Sequence, residues 1–488
     1  MDALIDTKEI LNLMRSPSEK DAELITRAYK FAKNAHRDNV RLSGEPCLVH
    51  LVGTAKNLAE INVDRETIAA GLLHDILEDT DTKEEAVQKE FGDNILFLVK
   101  GVTKLGKIKY QGLARHAESL RKLFVATAKD VRVLLIKLAD RLHNIRTLQY
   151  VRSEKRKRIA LETLEIYAPI ANRLGMGHMK GTLEDEAFSY LNPEEYKETV
   201  RLRQMRTKRL SKGLEKINRI ISKRLAKEGF RKFWTNFRVK HLYSLHKKLE
   251  RNENDINKIY DILALRIIIN GASEDCYKIL GIIHSVFKPL PERMKDYIAV
   301  PKPNGYQSIH TVVFMGDGEI VEIQIRTEDM HWEAENGIAS HLLYEEGDKP
   351  KTGGKLSKKL RWIKQLFDWQ KNVDEPRAFI ENLKTDFFND QIFVFTPKGD
   401  VVELPFNASP IDFAYMIHSD LGNHAFGAKI NGKMTSFDSP LKNGDIVEII
   451  VKESSSPSHK WLEFAKTTNA VKQIRLAVEK RKPKCKNP

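Results

Sequence analysis

Ala69-Ala-Gly-Leu-Leu-His-Asp-Ile-Leu-Glu-Asp79 places four metal-competent side chains in a run that otherwise reads as buried core. On a continuous helix His74 and Glu78 would share one face, and Asp75 and Asp79 the adjacent one, each pair four residues apart. Buried without partners, such groups cost several kcal/mol, and a bound cation removes that cost. A second segment answers the first. Val131 to Leu148 carries an apolar stripe of Val131, Leu134, Leu138, Leu142, Ile145 and Leu148, with Asp140, His143, Asn144 and Thr147 opposite. Val133 and Ile136 make the opposite side apolar as well in the first turns, so this helix should be buried and its polar cluster should line a pocket. His50 follows the basic, glycine-containing loop Arg41-Leu-Ser-Gly-Glu-Pro46. Together His50, His74, Asp75 and Asp140 offer two imidazoles and two carboxylates from three helical segments. That mixed set suits a divalent transition ion that activates water. A His-Asp pair alone is commonplace on helices; the whole series points to a metal.

Outward from this run, residues 1–195 read as almost wholly helical, and the basic stretch 197–230 continues as helix with Leu202, Met205, Leu210 and Leu214 near helical spacing. The texture then changes to α/β. Asp261-Ile-Leu-Ala-Leu-Arg-Ile-Ile-Ile-Asn270 suits a buried strand, and His310–Met315 and Glu319–Thr327 form two more around the turn Gly316-Asp-Gly318. The polar stretch Gly347-Asp-Lys-Pro-Lys-Thr-Gly-Gly354 leads into a helical linker with Trp362 and Trp369. A hairpin around Pro397-Lys-Gly-Asp400, a short helix over 410–418, and strands at Ala428-Lys-Ile430 and Gly444–Val451 predict a β-β-α-β-β module of β-grasp type. The expected division is an all-α domain over 1–195, an α/β domain over 196–346, a helical linker over 347–388, the β-grasp module over 389–452 and a basic tail over 453–488 whose last residues, 479–488, read as loose.

Composition narrows the setting. No apolar run approaches the roughly 20 residues that span a bilayer, and the opening MDALIDTKEI lacks a basic and apolar leader, so no membrane role and a cytoplasmic location are expected. Cys47, Cys276 and Cys485 are few and far apart, which fits a reducing compartment rather than a disulfide framework. The net charge of +15 is concentrated: residues 197–251 hold 19 Lys or Arg against four Glu. Such an excess points to phosphate-bearing partners, although a solvated basic helix face would look the same.

Chemistry reappears in Arg238-Val-Lys-His-Leu-Tyr-Ser-Leu-His-Lys-Lys248. On a helix His241, Leu245 and Lys248 share a face, with Arg238 and Lys240 at its start, a set able to clamp a triphosphate. On the third strand Ile320, Glu322, Gln324 and Arg326 alternate with the aliphatic Val321, Ile323 and Ile325. Asp261 opens the first strand and can pair with Glu322 around a magnesium ion, giving the carboxylates, metal and cations that phosphoryl-type transfer needs. Between them, residues 293–310 form a polar loop, RMKDYIAVPKPNGYQSIH, with an aromatic able to stack on a base.

With these residues in view, the chain resembles the HD-type metallohydrolases and, within them, the RelA/SpoT family of (p)ppGpp synthetase/hydrolases. RLSGEP, HDILED and LADRLHNIRTL carry the likeness over most of residues 20–180. RVKHLYSLHKK, YDILALR, EIQIRT and HWEAENGIASH, with the loop just quoted, carry it over about 200–345. The resemblance implies a nucleotidyltransferase-like synthetase domain. It also implies Mn2+ on His50, His74, Asp75 and Asp140, water activation by Glu78 and Asp79, and Arg41 and Asn144 on the nucleotide. In the second domain it implies Mg2+ on Asp261 and Glu322, with Glu322 also activating the 3′-hydroxyl of GDP or GTP. Arg238, Lys240, His241 and Lys248 would hold ATP, Tyr306 would stack on guanine, and Arg293, Lys295, Asn304 and Gln324 would serve the acceptor side. Arg293-Met-Lys-Asp296 matches the basic form of a motif found in two-way members. Cys47, Leu42 and Phe237 depart from the family pattern without removing a proposed ligand. Residues 390–451 resemble the TGS module, and His418 is the position singled out for tRNA or ribosome contact, beside the plainer reading that it caps a helix.

The function so implied is synthesis of (p)ppGpp from ATP and GDP or GTP, with release of AMP, and its hydrolysis to GDP or GTP and pyrophosphate. Two alternatives stay open on sequence alone: a hydrolase with a weak or dead synthetase, and a ribosome- or tRNA-binding regulator with relic catalytic domains. Because long family members continue past the TGS module, catalysis is expected to be largely independent of ribosomes.

Overall fold

The structure, a computed structural model, describes residues 3–103, 113–302, 304–315, 318–342, 361–370, 375–384, 391–442 and 444–479. Two compact units divide the chain: the first takes in the helical and α/β regions through Trp369, and the second holds the small β module.

The helical region runs α1 (Ala3–Leu13), α2 (Glu19–Ala35), α3 (Cys47–Glu60), α4 (Arg65–Leu73), α5 (Ile76–Asp79), α6 (Glu84–Val102), α7 (Leu113–Lys129), α8 (Arg132–Arg146), α9 (Ser153–Glu162), α10 (Ala168–Arg173) and α11 (Gly177–Leu191). Local chemistry fixes the starts. Ser18 and Asp21 form a capping box on α2, and the Asp64 carboxylate accepts from the Thr67 backbone N–H at α4. α3 packs on α4 and α8. Along α8 every side chain from Val133 to Asp140 is buried, so the anticipated all-round burial is present. The sequence reading of 69–79 as one helix is corrected: α4 ends at Leu73 and a new turn starts at Ile76.

The 35-residue α12 (Pro193–Lys227) joins the helical and α/β regions, so the division expected at residue 195 falls inside a helix. Its inner face, Leu210, Leu214, Ile217, Ile221 and Leu225, is part of the α/β core. Then follow β1 (Phe233–Val239), α13 (Leu242–Arg251), β2 (Leu263–Ile269), α14 (Ser273–Val286), β3 (Lys295–Asp296), β4 (Ile309–Phe314), β5 (Ile320–Thr327), α15 (Glu328–Asn336) and α16 (Ala339–Leu342). The mixed sheet has order β1-β2-β5-β4-β3, with β2 and β5 parallel and the other neighbours antiparallel. Val321, Ile323 and Ile325 enter the core with α12 and α14, as their alternation requires. A strand was missed: β1 carries Arg238, and His241 precedes α13 as its N-cap, so these two do not lie on a common helix.

In the second unit β6 (Gln391–Phe395) pairs with β7 (Val401–Pro405), and β10 (Val447–Val451), β8 (Ala425–Ile430) and β9 (Lys433–Thr435) form a three-stranded sheet. Phe395 bridges Ile446 in parallel, linking the two sheets. The helix Pro410–Ile417 lies where expected; β9 and the short helix Ser419–Asn423 are additions. Within the basic tail expected over 453–488, residues up to 479 are structured, and 480–488, expected to be loose, lie outside the described residues. Residues 459–463 and the helix Thr468–Glu479 pack Trp461, Ala470 and Ile474 against Ile411 and Tyr415. The Gly316-Asp317 part of the turn, the 347–354 stretch and Cys485 lie outside the described residues.

Candidate metal and nucleotide sites

The helix break at His74-Asp75 builds the first site. The His74 Nδ1–H donates to the Gly71 carbonyl at 2.8 Å, the acceptor that a continuing helix would offer to the Asp75 N–H. His74 is thereby left with its Nε2 lone pair facing inward. There it meets His50 Nε2 at 3.2 Å and Asp75 Oδ2 at 3.2 Å, while Asp140 Oδ1 lies 3.3 Å from His50 Nε2. His50, His74 and Asp140 are buried and offer ligand atoms within 4.8 Å of one another. Asp75 completes the set at 3.6 Å from His50 Nε2. Donors about 2.0–2.2 Å from a transition ion stand about 3–3.6 Å apart, so the observed spacing fits one. Electrostatics agree. Burial opposes charge on His74, but Asp75 and Asp140 outweigh it and push its pKa up to about 9, a position that calls for a cation. Burial likewise opposes ionisation of Asp140, yet Lys137 and His50 hold it well below the usual carboxylate range.

Around the ligands, Lys137 donates to Asp140 Oδ2 at 2.6 Å, and the Asn144 amide donates to Oδ1. The Arg41 guanidinium donates to Asn144 Oδ1 at 2.7 Å, so the two residues expected at the nucleotide are joined. Glu78 and Asp79 are exposed on the wall of an open pocket of about 680 Å³ that Arg37, Asp38, Asn39 and Asp81 also line. Lys137 was missed because a lysine inside an apolar helix turn has no motif of its own.

The second site gathers at one end of β1, β2 and β5. Lys240 and Lys248 each donate to Asp261 Oδ2 at 2.7 Å. The other oxygen, Oδ1, is buried without a partner among the described residues, which fits a cation there. Burial lowers Lys240 to about 8 against the pull of Asp261, with Lys248 and Arg238 adding repulsion. Such crowding of cations favours an anionic ligand. On β5 Glu322 Oε1 lies 3.3 Å from His310 Nδ1 and accepts from Gln324 Nε2 at 2.6 Å. Burial raises the Glu322 pKa, but His310 outweighs it and keeps the group ionised. Tyr306 Oη lies 2.7 Å from His310 Nε2, so aromatic loop, histidine and carboxylate form one chain.

The expected nucleotide residues divide by position. Gln324 is fully buried, bonded to Glu322 and to Arg266, and reaches the site through them. Tyr306 has Lys302 4.9 Å from its ring centre. Arg293, just before β3, and Lys295, at its start, are exposed, and Asn304 Nδ2 lies 3.5 Å from Asn172 of α10. His241 is held from the helical region: its Nδ1 is 3.0 Å from Asp185 Oδ2 on α11, and Asp185 Oδ1 accepts from the Tyr243 N–H. Asp185 and His310 escaped the sequence reading because each acts through a tertiary contact.

Residues 28–177 match an HD domain, 237–349 the region found in RelA / SpoT proteins, and 392–451 a TGS domain. Over 477 residues the chain is 47% identical to guanosine-3′,5′-bis(diphosphate) 3′-pyrophosphohydrolase of Aquifex aeolicus (strain VF5), covering 98% of this chain and 67% of that protein. The chain belongs to the RelA/SpoT family. A GTP pyrophosphokinase of Myxococcus xanthus is 45% identical, with 94% of this chain and 60% of that one covered. The bifunctional (p)ppGpp synthase/hydrolase SpoT of Escherichia coli (strain K12) is 43% identical, with 94% and 65% covered. The chain thus spans between 60% and 67% of the length of these three RelA/SpoT relatives. In its TGS module His418 closes the helix Pro410–Ile417 and caps the next: its exposed ring accepts from the Asp420 N–H at 3.2 Å. The capping role is present; an outside contact is compatible with that exposure.

Proposed function

We propose that this chain is a bifunctional alarmone enzyme that makes (p)ppGpp from ATP and GDP or GTP, releasing AMP, and hydrolyses it to GDP or GTP and pyrophosphate. One observation carries the reading. A single chain holds two separate, partly buried clusters, His50, His74, Asp75 and Asp140 in the helical region, and Asp261 with Glu322 among cations in the α/β region. Its relatives bear names for the hydrolytic reaction, the pyrophosphokinase reaction and both.

For hydrolysis, His50, His74, Asp75 and Asp140 would hold Mn2+, which supplies Lewis acidity and a nucleophile at neutral pH. Glu78 and Asp79, on the pocket wall, would orient water and take its proton. Arg41, braced by Asn144, would hold the nucleotide at the cluster. For synthesis, Asp261 and Glu322 would hold Mg2+, which neutralises charge on the transferred group. Arg238, Lys240, His241 and Lys248 would clamp the ATP phosphates, and Glu322 would accept the proton of the acceptor 3′-hydroxyl. Tyr306 and Asn304, with Arg293 and Lys295, would hold the guanine nucleotide, and Gln324 would orient Glu322. The TGS module and the basic helix α12 would contact tRNA or ribosomal RNA, with His418 as the contact in the former. No helix among the described residues is long and apolar enough to cross a membrane, and a cytoplasmic site of action is in keeping with that.

The test is incubation of the purified chain with labelled ATP and GDP in Mg2+, with and without Mn2+. AMP and ppGpp should form, and added Mn2+ should return ppGpp to GDP with pyrophosphate. No AMP would remove the synthetase reading; no pyrophosphate with Mn2+ would remove the hydrolase reading.

A further inference from the structure

Three of the metal-facing groups of the first site have a partner on their far side. His74 Nδ1 is bonded to the Gly71 carbonyl, and Asp140 Oδ2 to Lys137. For His50 the partner is another histidine: its Nδ1 lies 2.9 Å from Nδ1 of His143, one turn past Asp140 on α8. We infer that His143 is the positioning residue that fixes His50 as a ligand, and that Gly53 is a glycine so that the His143 ring can stand there. This rests on the metal reading above.

The proton positions follow from the geometry. His50 Nε2 faces His74, Asp75 and Asp140 and must keep its lone pair to ligate. A neutral imidazole then carries its proton on Nδ1, and that N–H points at His143 Nδ1. His143 Nδ1 must therefore accept, so its own proton sits on Nε2. Two rings so paired fix both tautomer and ring angle; their centroids are 4.8 Å apart with planes at 61°. Arg41 Nη1 lies 3.5 Å from the same His143 nitrogen. His143 thus stands between a metal ligand and the residue expected to hold the nucleotide.

The second observation is steric. One helical turn after His50, a Cβ added at Gly53 would lie 2.1 Å from His143 Cδ2 and 2.4 Å from its Nε2. Both are side-chain atoms of the ring itself, so any larger residue at 53 would push that ring off His50. The helix α3 therefore carries the ligand and, three residues later, the gap for the residue that orients it.

The test is Mn2+ binding followed by electron paramagnetic resonance, without nucleotide, on the full chain. His143→Phe keeps a ring and removes the acceptor; His143→Asn restores an acceptor near the Nδ1 position. His143→Phe should weaken Mn2+ binding about 10–100-fold, the usual range for an outer-shell partner. His143→Asn should recover most of that loss. Gly53→Ala should weaken binding like His143→Phe, and it should also cancel the recovery by His143→Asn, whose amide nitrogen stands near the Cδ2 position that an added Cβ would meet. Unfolding temperatures within a few degrees of the parent would show that packing is not the cause. Binding by His143→Phe within threefold of the parent, or no recovery by His143→Asn, overturns the proposal and leaves the metal site standing. A parent chain that binds no Mn2+ overturns both.

Discussion

Replacing Asp75 by Asn keeps the volume of the side chain and removes its charge, which separates packing from electrostatics. Asp75 is half-buried and lies 3.2 Å from His74 Nε2, so it is the charge that the inward imidazoles face. Asp75→Asn should reduce pyrophosphate release from ppGpp by at least about 100-fold, more than the loss of an outer partner costs, while synthesis persists. Normal hydrolysis by that variant would show the cluster to be structural. Glu322 is the counterpart in the α/β region. It is held ionised by His310 and Gln324, and Gln at this position cannot take a proton from a hydroxyl. Glu322→Gln should abolish AMP formation from ATP and GDP and spare hydrolysis, measured on the same preparation. Loss of both activities in a folded protein would contradict the separation of the two clusters.

Two elements carry predictions that no motif contains. Helix α11 belongs to the helical region, yet Gly181 on it abuts His241: an added Cβ would lie 2.3 Å from ring atoms. Gly181→Ala should displace His241, which Asp185 holds, and lower synthesis about 10–100-fold at limiting ATP, since misplacement of this order costs that much. Hydrolysis should not change; equal loss of both activities would mean that α11 supports only the fold. Helix α15 supplies Glu335, which bonds Arg266 and the fully buried Arg326, each at 3.0 Å. Glu335→Ala leaves two guanidinium groups without their carboxylate and should destabilise the α/β region by ~3–5 kcal/mol, read by urea unfolding. What the sequence displayed and what it hid divide along the same line. The period-2 alternation of β5 and the apolar stripe of α8 were legible because each is local, and each put its polar residues on the proper face. β1 was not legible: it is an edge strand whose Trp234, Phe237 and Val239 are exposed, so it lacks the apolar rhythm of a buried strand. The break after Leu73 was hidden because His74 competes for a backbone carbonyl only through its side chain. Asp185 and Gly181 were hidden because their contacts join residues 56 or more positions apart, which periodicity cannot report.

At the scale of the whole molecule the charge is unevenly spent. Part of the basic segment is internal: Arg206 pairs with Glu319 at 2.9 Å, Arg209 joins the same carboxylate, and Lys240 and Lys248 pair with Asp261. Another part lies along α12, where Lys208, Lys212, Lys216, Arg219, Lys223 and Lys227 are exposed and form one stripe at helical spacing. The opposite stripe is the buried Leu210, Leu214, Ile217, Ile221 and Leu225, so the cations cannot turn inward to find partners. A stripe of this kind binds phosphate polymers by releasing their counterions, and each phosphate neutralised on single-stranded RNA contributes about −0.7 to the slope of log K against log salt. The chain should therefore bind RNA without sequence preference, and weaken steeply between about 50 and 200 mM salt. Exchanging Lys212, Lys216, Arg219 and Lys223 for Gln should make the slope less negative by about 3, the product of four contacts and the single-strand coefficient. Both catalytic activities should be unaffected, because none of the four reaches Asp261, Glu322 or the His50 cluster. Fluorescence polarisation with a short labelled RNA, titrated across that salt range, measures the slope directly. An unchanged slope in the four-site variant would place the RNA-binding charge elsewhere and reduce the α12 stripe to a solvated face.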